Sequence, residues 1–475
     1  MLFRMKGFRG VAVVLAVAGS AFAALVLHAL LARASIDPSL RCRFGTYALS
    51  DGRSLAIVGY DGTPRDLRYD LSSGEYGHLA AGTSGNDYKL SAPVQPDGAE
   101  PAYGSVSFSD CATGKVSFKE SGRPIVNGTR RPLTVTDTFF DSNGTRIHGK
   151  LVMPADGGAK AIVVWITGSD DDPETDDADW QYVLPLRGIG VFVYDKRGTG
   201  QSQGALSADF YVRAGDTAAA IKEVRRLKPH MERIGVFGGS QGGWVAPLTA
   251  TKTDVAFVIV GYGLAEGVTA QDREEVEGEV RAAGYGDEVI KKVRAITTAT
   301  THIVMSGWQD GWHEFAGLKE KYADEPWIKA IDAENGYTGE LLRTNYPTAI
   351  MRLMGPLLDK HVSFGYDPRP VIATIAPPQL WLLGASDRTA PNAKTIAILR
   401  DIQRNKRDLD LVVYKSADHG LVETFSFRGL ERHRFPGNLV DHVARWILTR
   451  QLPNPNDLMD VWPNERTATS SVASP

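Results

Sequence analysis

Cysteine is scarce in this chain of 475 residues, which contains only Cys42 and Cys111. Two cysteines are too few for a zinc ribbon or a disulfide-rich scaffold. An excess of either charge is also missing, because 53 basic and 56 acidic residues give a net charge of −3. This balance provides no excess of positive charge for binding nucleic acid. A composition of 43% hydrophobic and 23% charged residues excludes a disordered chain and a multi-span membrane protein, and favours a large folded chain.

One long apolar run is present, from Val11 to Leu31, and it follows a segment with several basic residues. A basic flank followed by an apolar run is typical of an export signal, and a run of this length can also span a bilayer. Residues 1–35 are therefore interpreted as either a cleaved signal peptide or a single membrane anchor. Both alternatives predict that the remaining chain is extracytoplasmic, periplasmic or secreted, because the positive end stays inside.

If the chain is exported, its two cysteines can form a disulfide, because an oxidising compartment permits disulfides. Both cysteines precede residue 130. We expect a Cys42–Cys111 bridge, with two separate buried thiols as the alternative.

Residues 36–130 have the pattern of a small all-β domain. Short alternating runs such as Ser54–Val58 and Val116–Phe118 are separated by turn signals such as Asp51-Gly52 and Ser73-Gly74. This spacing predicts hairpins. The residue pattern alone assigns this domain no function.

Residues 131–455 have the pattern of an α/β domain. A hairpin around Asp141–Gly144 is followed by continuous apolar runs, which are expected for strands buried on both faces. Amphipathic segments such as Asp209–Leu227 and Pro391–Arg404 lie between them. The alternation predicts a mostly parallel sheet with helices on both faces and antiparallel strands at one edge. The predicted parallel strands are Ala161–Thr167, Val191–Tyr194, Arg233–Phe237, Val255–Val260, Gln379–Leu383 and Leu409–Tyr414.

Residues 264–369 are too many for one crossover connection. They carry helical patterns and three tryptophans, Trp308, Trp312 and Trp327. We interpret this segment as an inserted helical cap whose tryptophans are core residues rather than a platform for substrate. Residues 456–475, rich in Pro, Asn and Ser, are predicted to be a flexible tail.

The sharpest motif is the sequence GGSQGG at residues 238–243. It lies between a predicted strand and a helical run, which is the context of a nucleophile elbow. In such a turn the hydroxyl of Ser240 stands exposed above the sheet. The backbone N–H of Gln241 then points to where an oxyanion would form. The alternative is a glycine-rich turn that serves only close packing.

A nucleophilic serine needs a base and an orienting acid. Of ten histidines, His419 follows the predicted strand Leu409–Tyr414, at the edge where such folds place catalytic groups. Asp387 follows the strand Gln379–Leu383 at the same edge. The chain order Ser240, Asp387, His419 fits a triad. Asp418 is the weaker candidate acid, because adjacent side chains normally diverge.

The second oxyanion donor is expected in the loop after Ala161–Thr167. The backbone N–H of Ser169 is the first choice and that of Gly168 the second.

From about residue 133 to 452 the chain resembles a serine hydrolase of the α/β-hydrolase superfamily, close to its esterases and serine aminopeptidase-like members. The resemblance lies in GGSQGG at 238–243, YDKRGTGQS at 194–202, GASDRTAP at 384–391 and SADHG at 416–420. It implies an α/β-hydrolase fold and a triad that requires no cofactor or metal. It also implies that Arg197 is structural and ties neighbouring loops together.

Seven acidic residues follow the predicted oxyanion loop. Three interpretations are open: a calcium site, a negative rim that disfavours anionic substrates, and a solvated loop at a helix N-terminus. We expect the solvated loop. The residues are Asp170, Asp171, Asp172, Glu174, Asp176, Asp177 and Asp179.

The sequence therefore predicts an exported serine hydrolase that cleaves carboxylic esters of small acyl substrates through an acyl-enzyme. The alternatives are a peptidase or thioesterase on the same triad, or a non-catalytic envelope protein. The expected partner is a small-molecule acyl substrate, and the pattern does not define an oligomeric state.

Overall fold

The computed structural model describes residues 36–60, 63–92, 102–331, 336–405, 408–455 and 459–462. The predicted signal or anchor, residues 1–35, lies outside these ranges. Within them, no helix has both the length and the apolar character needed to cross a bilayer.

A closed antiparallel barrel forms the first folded unit. Each of its eight strands pairs with the next, and the last strand pairs with the first through Tyr47↔Arg130. Its interior is filled by buried apolar and aromatic side chains, including Tyr69 and Phe118. The strands are β1 (Gly45–Leu49), β2 (Ser54–Gly59), β3 (Leu67–Leu71), β4 (Glu75–Ala81), β5 (Asp87–Ser91), β6 (Gly104–Phe108), β7 (Lys115–Glu120) and β8 (Val126–Arg130).

Cys42 and Cys111 form a disulfide in the structure, with their Cα atoms 5.6 Å apart. Cys42 lies in the 3-10 turn Pro38–Arg43, which precedes the barrel, and Cys111 lies between β6 and β7. The bond therefore ties the start of the described chain to a loop of the barrel.

A nine-stranded mixed sheet forms the second unit, in the order β19-β16-β15-β14-β13-β11-β12-β10-β9. The six strands β11–β16 are parallel, and β10 pairs antiparallel with β12. The strands are β9 (Leu133–Ser142), β10 (Thr145–Pro154), β11 (Ala161–Ile166), β12 (Ile189–Tyr194), β13 (Ile234–Gly239), β14 (Val258–Gly261), β15 (Gln379–Gly384), β16 (Leu409–Tyr414) and β19 (Met459–Trp462).

Local sequence explains these strands. The parallel strands are buried along their whole length, which is why they are continuous apolar runs. The β9–β10 hairpin turns at Asn143-Gly144, whose φ angles of 50° and 79° suit the tight turn of a two-residue hairpin. Alternate residues of β11 face two separate cores, with Val164 in one and Val163 in the other. Helices therefore cover both faces of the sheet.

Helices lie on both faces of this sheet, and the segment predicted to be a cap contains helices between residues 268 and 358. Trp308, Trp312 and Trp327 are buried in the cap core, as expected. The helices are α1 (Glu174–Asp177), α2 (Trp180–Val183), α3 (Phe210–Leu227), α4 (Gly242–Thr249), α5 (Val268–Ala282), α6 (Asp287–Met305), α7 (Trp312–Lys321), α8 (Gly336–Arg343), α9 (Thr348–Leu358), α10 (Arg369–Thr374), α11 (Ala393–Asn405) and α12 (Leu439–Thr449).

The prediction of a flexible tail over residues 456–475 is wrong for one segment. Met459–Trp462 forms β19, which pairs antiparallel with β16 through Tyr414↔Met459 and Leu411↔Trp462. Met459 is buried, so this short segment gains both backbone hydrogen bonds and apolar contact at the sheet edge.

A second hairpin departs from the predicted division at residue 130. Strands β17 (Glu423–Phe427) and β18 (Leu430–Arg434) come from the C-terminal part of the chain but extend the sheet of the barrel. β18 pairs with β4 through His433↔Tyr76 and Arg434↔Glu75. The barrel and the α/β unit are therefore joined by shared strands.

Candidate active site

Ser240 occupies the sharp turn between β13 and α4 and has a φ of 53°. A left-handed conformation is uncommon for a residue with a side chain and indicates a strained turn. The flanking glycines have no room for a Cβ: one at Gly238 would lie 2.1 Å from the carbonyl oxygen of Gly242, and one at Gly242 would lie 2.3 Å from that of Ile166. The glycines of the motif thus permit the turn that presents Ser240.

The structure brings the three predicted triad residues together. His419 Nε2 lies 3.0 Å from the Oγ of Ser240, and His419 Nδ1 lies 2.9 Å from Oδ2 of Asp387. The Asp387 side chain is only 1% exposed, whereas that of His419 is 20% exposed. The imidazole therefore connects a buried carboxylate to a hydroxyl that borders an open cavity.

Asp387 is itself held in place, because its Oδ1 accepts the backbone N–H of Ala390 at 2.7 Å. The neighbouring Asp418 has its backbone N–H bonded to the carbonyl of Val422. Of the two candidate acids, Asp387 is the one that reaches the imidazole.

The predicted oxyanion loop lies against the serine. A Cβ on Gly168 would be 3.3 Å from Ser240 Cβ and 3.7 Å from its Oγ, so a side chain at this position would crowd the serine. Ser169 lines the same cavity as Ser240, and Gln241 directly precedes α4. The segments that carry the three predicted donors thus all border Ser240.

A buried guanidinium connects these segments. Arg213, on α3, donates from Nη2 to the carbonyl of Thr167 at 2.6 Å and from Nη1 to the side-chain oxygen of Gln241. Burial lowers the pKa of Arg213. Lys196 adds a second link, since its Nζ lies 3.3 Å from the carbonyl oxygen of Gly168. Together they fix the oxyanion loop relative to the elbow.

Arg197 fulfils the structural expectation. It binds the carboxylate of Asp216 on α3, with Nε to Oδ2 at 2.8 Å, and its Nη1 lies 3.4 Å from the hydroxyl of Thr145 at the start of β10. It therefore joins the loop after β12 to a helix and to the first hairpin.

A cavity of about 460 Å³ opens beside the triad. Its wall includes Ser240 and His419, and also two barrel residues, Arg68 on β3 and Tyr76 on β4. The aromatic ring of Tyr262 packs edge-on to the imidazole of His419, with centroids 5.2 Å apart. Residues of both structural units thus line the wall of this cavity.

The acidic segment is only in part the solvated loop at a helix N-terminus that we expected. Three of its acids do lie in the first turn of α1, but four of the seven are buried. Asp176 is buried and forms an ion pair with Arg41 at 2.7 Å, and Asp177 and Asp179 lie 3.5 and 3.6 Å from the guanidinium of Arg68. The expectation failed for the buried acids because these cations come from the barrel region, far away in sequence. The carboxylates therefore hold the two units together.

Other acids of the segment line the cavity. Burial raises the pKa of Glu174 to about 8, and its carboxylate accepts the indole N–H of Trp165 at 2.8 Å. Desolvation would raise the pKa of Asp170, whose side chain is 39% exposed, but Lys196 at 3.1 Å outweighs this and lowers it. Among the residues that the structure describes, no group of three or more His, Cys, Asp or Glu side chains could hold a metal ion.

His148 is a buried histidine outside the triad. Its Nδ1 lies 2.8 Å from Asp195 Oδ2, and its Nε2 lies 3.4 Å from Asp137 Oδ1. Burial would lower the pKa of His148, but the two carboxylates outweigh it and raise the pKa to about 9.

Sequence reasoning missed Arg213, Tyr262 and the two barrel residues of the cavity wall. Arg213 had a weak signal, a charged residue on the apolar face of an amphipathic helix. The position of Tyr262 was a signal, because it directly follows β14 at the sheet edge where Ser240, Asp387 and His419 lie. Arg68 and Tyr76 had none, because nothing local shows that the barrel reaches the serine.

Comparison with known proteins gives partial matches. No family model matches the chain. The uncharacterized protein YfhR of Salmonella typhi is 33% identical over 109 residues, 22% of this chain and 37% of that protein. YfhR of Escherichia coli strain K12 is 33% identical over 138 residues, 28% of this chain and 43% of that protein. The chain thus spans less than half the length of these curated relatives.

Similar solved structures include the Pyrococcus furiosus esterase Pf2001, 14% identical over 60% of this chain and 84% of that chain, with a TM-score of 0.38. The proline iminopeptidase of Mycobacterium smegmatis is 15% identical over 60% of this chain and 91% of that chain, with a TM-score of 0.35. TM-scores below 0.5 are too low to assign an activity, which is therefore inferred from the residues of this chain.

Proposed function

We propose that the chain is a serine hydrolase of the α/β-hydrolase superfamily that cleaves carboxylic esters of small acyl substrates. The observation that carries this proposal is the continuous chain of contacts from Asp387 through His419 to Ser240. The three residues follow the carboxyl ends of β13, β15 and β16, which are parallel strands of one sheet.

In the proposed reaction, Ser240 Oγ attacks the acyl carbonyl while His419 Nε2 takes the hydroxyl proton. Asp387 keeps the other ring proton on Nδ1 and stabilises the imidazolium. Backbone N–H groups of Gln241 and of the loop at Gly168 and Ser169 would bind the developing oxyanion. His419 then gives the proton to the leaving alcohol, and water hydrolyses the acyl-enzyme in a second round of the same steps.

The size of the cavity supports a small substrate. A volume of about 460 Å³ suits a small molecule and is too small for a folded protein.

We also propose that residues 1–35 direct export. The basic flank and the apolar run support this, and so does the Cys42–Cys111 disulfide, because disulfides persist in oxidising compartments. A bacterial alkaline phosphatase fused after residue 60 should be active. Activity only from a cytoplasmic reporter at that junction would refute export.

The test of the activity uses purified protein and a panel of p-nitrophenyl acyl esters, thioesters and aminoacyl anilides. On the best substrate, Ser240→Ala should lower kcat by about 10⁶ without changing thermal stability. Ser386→Ala, at an exposed serine next to Asp387, is the matched control and should keep wild-type turnover. Wild-type turnover in Ser240→Ala would refute the proposed function.

A further inference from the structure

The loop that carries His419 runs directly into the hairpin β17–β18. After β16 ends at Tyr414, the loop is closed by the hydrogen bond from Asp418 N–H to the carbonyl of Val422, and β17 begins at the next residue. Leu421 is buried with a φ of 59°, so this segment has little freedom. The position of the catalytic imidazole therefore depends on where the hairpin is anchored.

The hairpin is anchored on the barrel. β18 adds to β4 through His433↔Tyr76, and Phe435, just after β18, stacks on the Tyr76 ring with centroids 5.0 Å apart. This contact lies at the cavity wall, which Tyr76 itself lines.

A buried arginine secures the contact. Arg432 of β18 is 4% exposed, and its Nη2 lies 3.3 Å from Oε1 of Glu120 at the end of β7. Its guanidinium carbon lies 4.4 Å from the centre of the Tyr103 ring, within the range of a cation–π contact. Glu120 is also buried and binds Arg53 at 2.9 Å. A charge this deeply buried is favourable only when it is paired, so the hairpin has a strongly preferred position.

We propose that the barrel contributes to catalysis by positioning His419 through the β17–β18 hairpin, and that Arg432 is the positioning residue. The inference rests on the proposed function, because it assumes that His419 is the base for Ser240. Its physical basis is that a catalytic group displaced by about 1 Å can lose about 10² in rate.

The experiment replaces Arg432 with methionine, which fills similar space without the charge. Glu120 keeps its partner Arg53, so no carboxylate is left unpaired. On the best ester, Arg432→Met should lower kcat at least tenfold with little change in KM, and should slow fluorophosphonate labelling of Ser240 by the same factor. The pH midpoint of kcat/KM should also move, which a loss of stability alone would not cause.

The matched control is Arg123→Met. Arg123 binds the same Glu120 carboxylate at 2.9 Å, but from within the barrel region. It should keep wild-type kcat and labelling rate.

Wild-type kcat and labelling rate in folded Arg432→Met would overturn the proposal. If that variant does not fold, Arg432→Lys is measured instead, because it keeps the charge and loses the planar guanidinium. A lowered kcat in Arg432→Lys would support the proposal, and a wild-type kcat would overturn it. Failure of the serine-hydrolase proposal is recognised separately, because activity would then survive Ser240→Ala in the wild-type background.

Discussion

Asp387→Asn changes one functional group of the proposed triad and tests how Asp387 orients the imidazole of His419. Asp387 Oδ1 accepts the backbone N–H of Ala390, and Oδ2 faces Nδ1 of His419. An asparagine keeps the first bond only if its carbonyl oxygen faces Ala390, so its NH₂ group must face the imidazole. That amide donates to Nδ1 and leaves the ring proton on Nε2, where it prevents removal of the Ser240 proton.

We expect kcat to fall about 10⁴-fold, as the same change does in the chymotrypsin-type triad, equivalent to about 5 kcal/mol. The assay is the initial rate of hydrolysis of the best p-nitrophenyl ester, with thermal unfolding as the check on folding. Asp418→Asn is the matched control, because it makes the same chemical change at the adjacent acid and should leave kcat within a few-fold of wild type.

Two outcomes would refute this reasoning. If Asp387→Asn keeps kcat within tenfold of wild type, the carboxylate does not select the tautomer of His419. If Asp418→Asn is instead the damaging change, the acid of the triad has been assigned to the wrong residue.

Arg213→Met should lower kcat about 10²-fold, because the segments that carry the oxyanion donors lose their common anchor. Arg225→Met, on the exposed side of the same helix, is the control and should leave kcat unchanged. The same kcat in both variants would contradict this prediction. Reducing the Cys42–Cys111 bond, which spans 69 residues, should lower the free energy of unfolding by about 4 kcal/mol in urea titrations, and an unchanged midpoint would count against it. His148 has a pKa of about 9 in the folded protein and about 6.5 in the unfolded chain, so its protonation stabilises the fold below pH 6.5. The free energy of unfolding, measured by urea titration, should therefore fall as the pH rises from about 6.5 to about 9. It should fall less steeply in His148→Gln, and an equal slope would contradict this.

The parts predicted from sequence are those with a local physical signal. Each buried parallel strand is a continuous apolar run, so its limits were close to the observed ones, as for Gln379–Gly384. The elbow was visible because glycines must surround Ser240 at fixed spacing. Asp387 and His419 were placed at the same edge by strand direction alone, and the structure brings them to hydrogen-bond distance.

The parts not predicted depend on residues far apart in the chain. By composition the acids of residues 170–179 form a polar surface loop, and the arginines that pair with Asp176 and Asp177, Arg41 and Arg68, come from a distant part of the chain. β19 is a short strand beside a Pro- and Asn-rich stretch, and its pairing with β16 has no local signal. The same holds for the β17–β18 hairpin, whose partner strand β4 lies more than 300 residues earlier.

The most direct test of the serine-hydrolase assignment is active-site labelling with a fluorophosphonate, followed by peptide mapping in a mass spectrometer. We expect one adduct, on the peptide that contains Ser240, with no labelling in Ser240→Ala and much slower labelling in His419→Ala. An adduct on another serine, or no adduct in protein that hydrolyses the ester, would contradict the assignment.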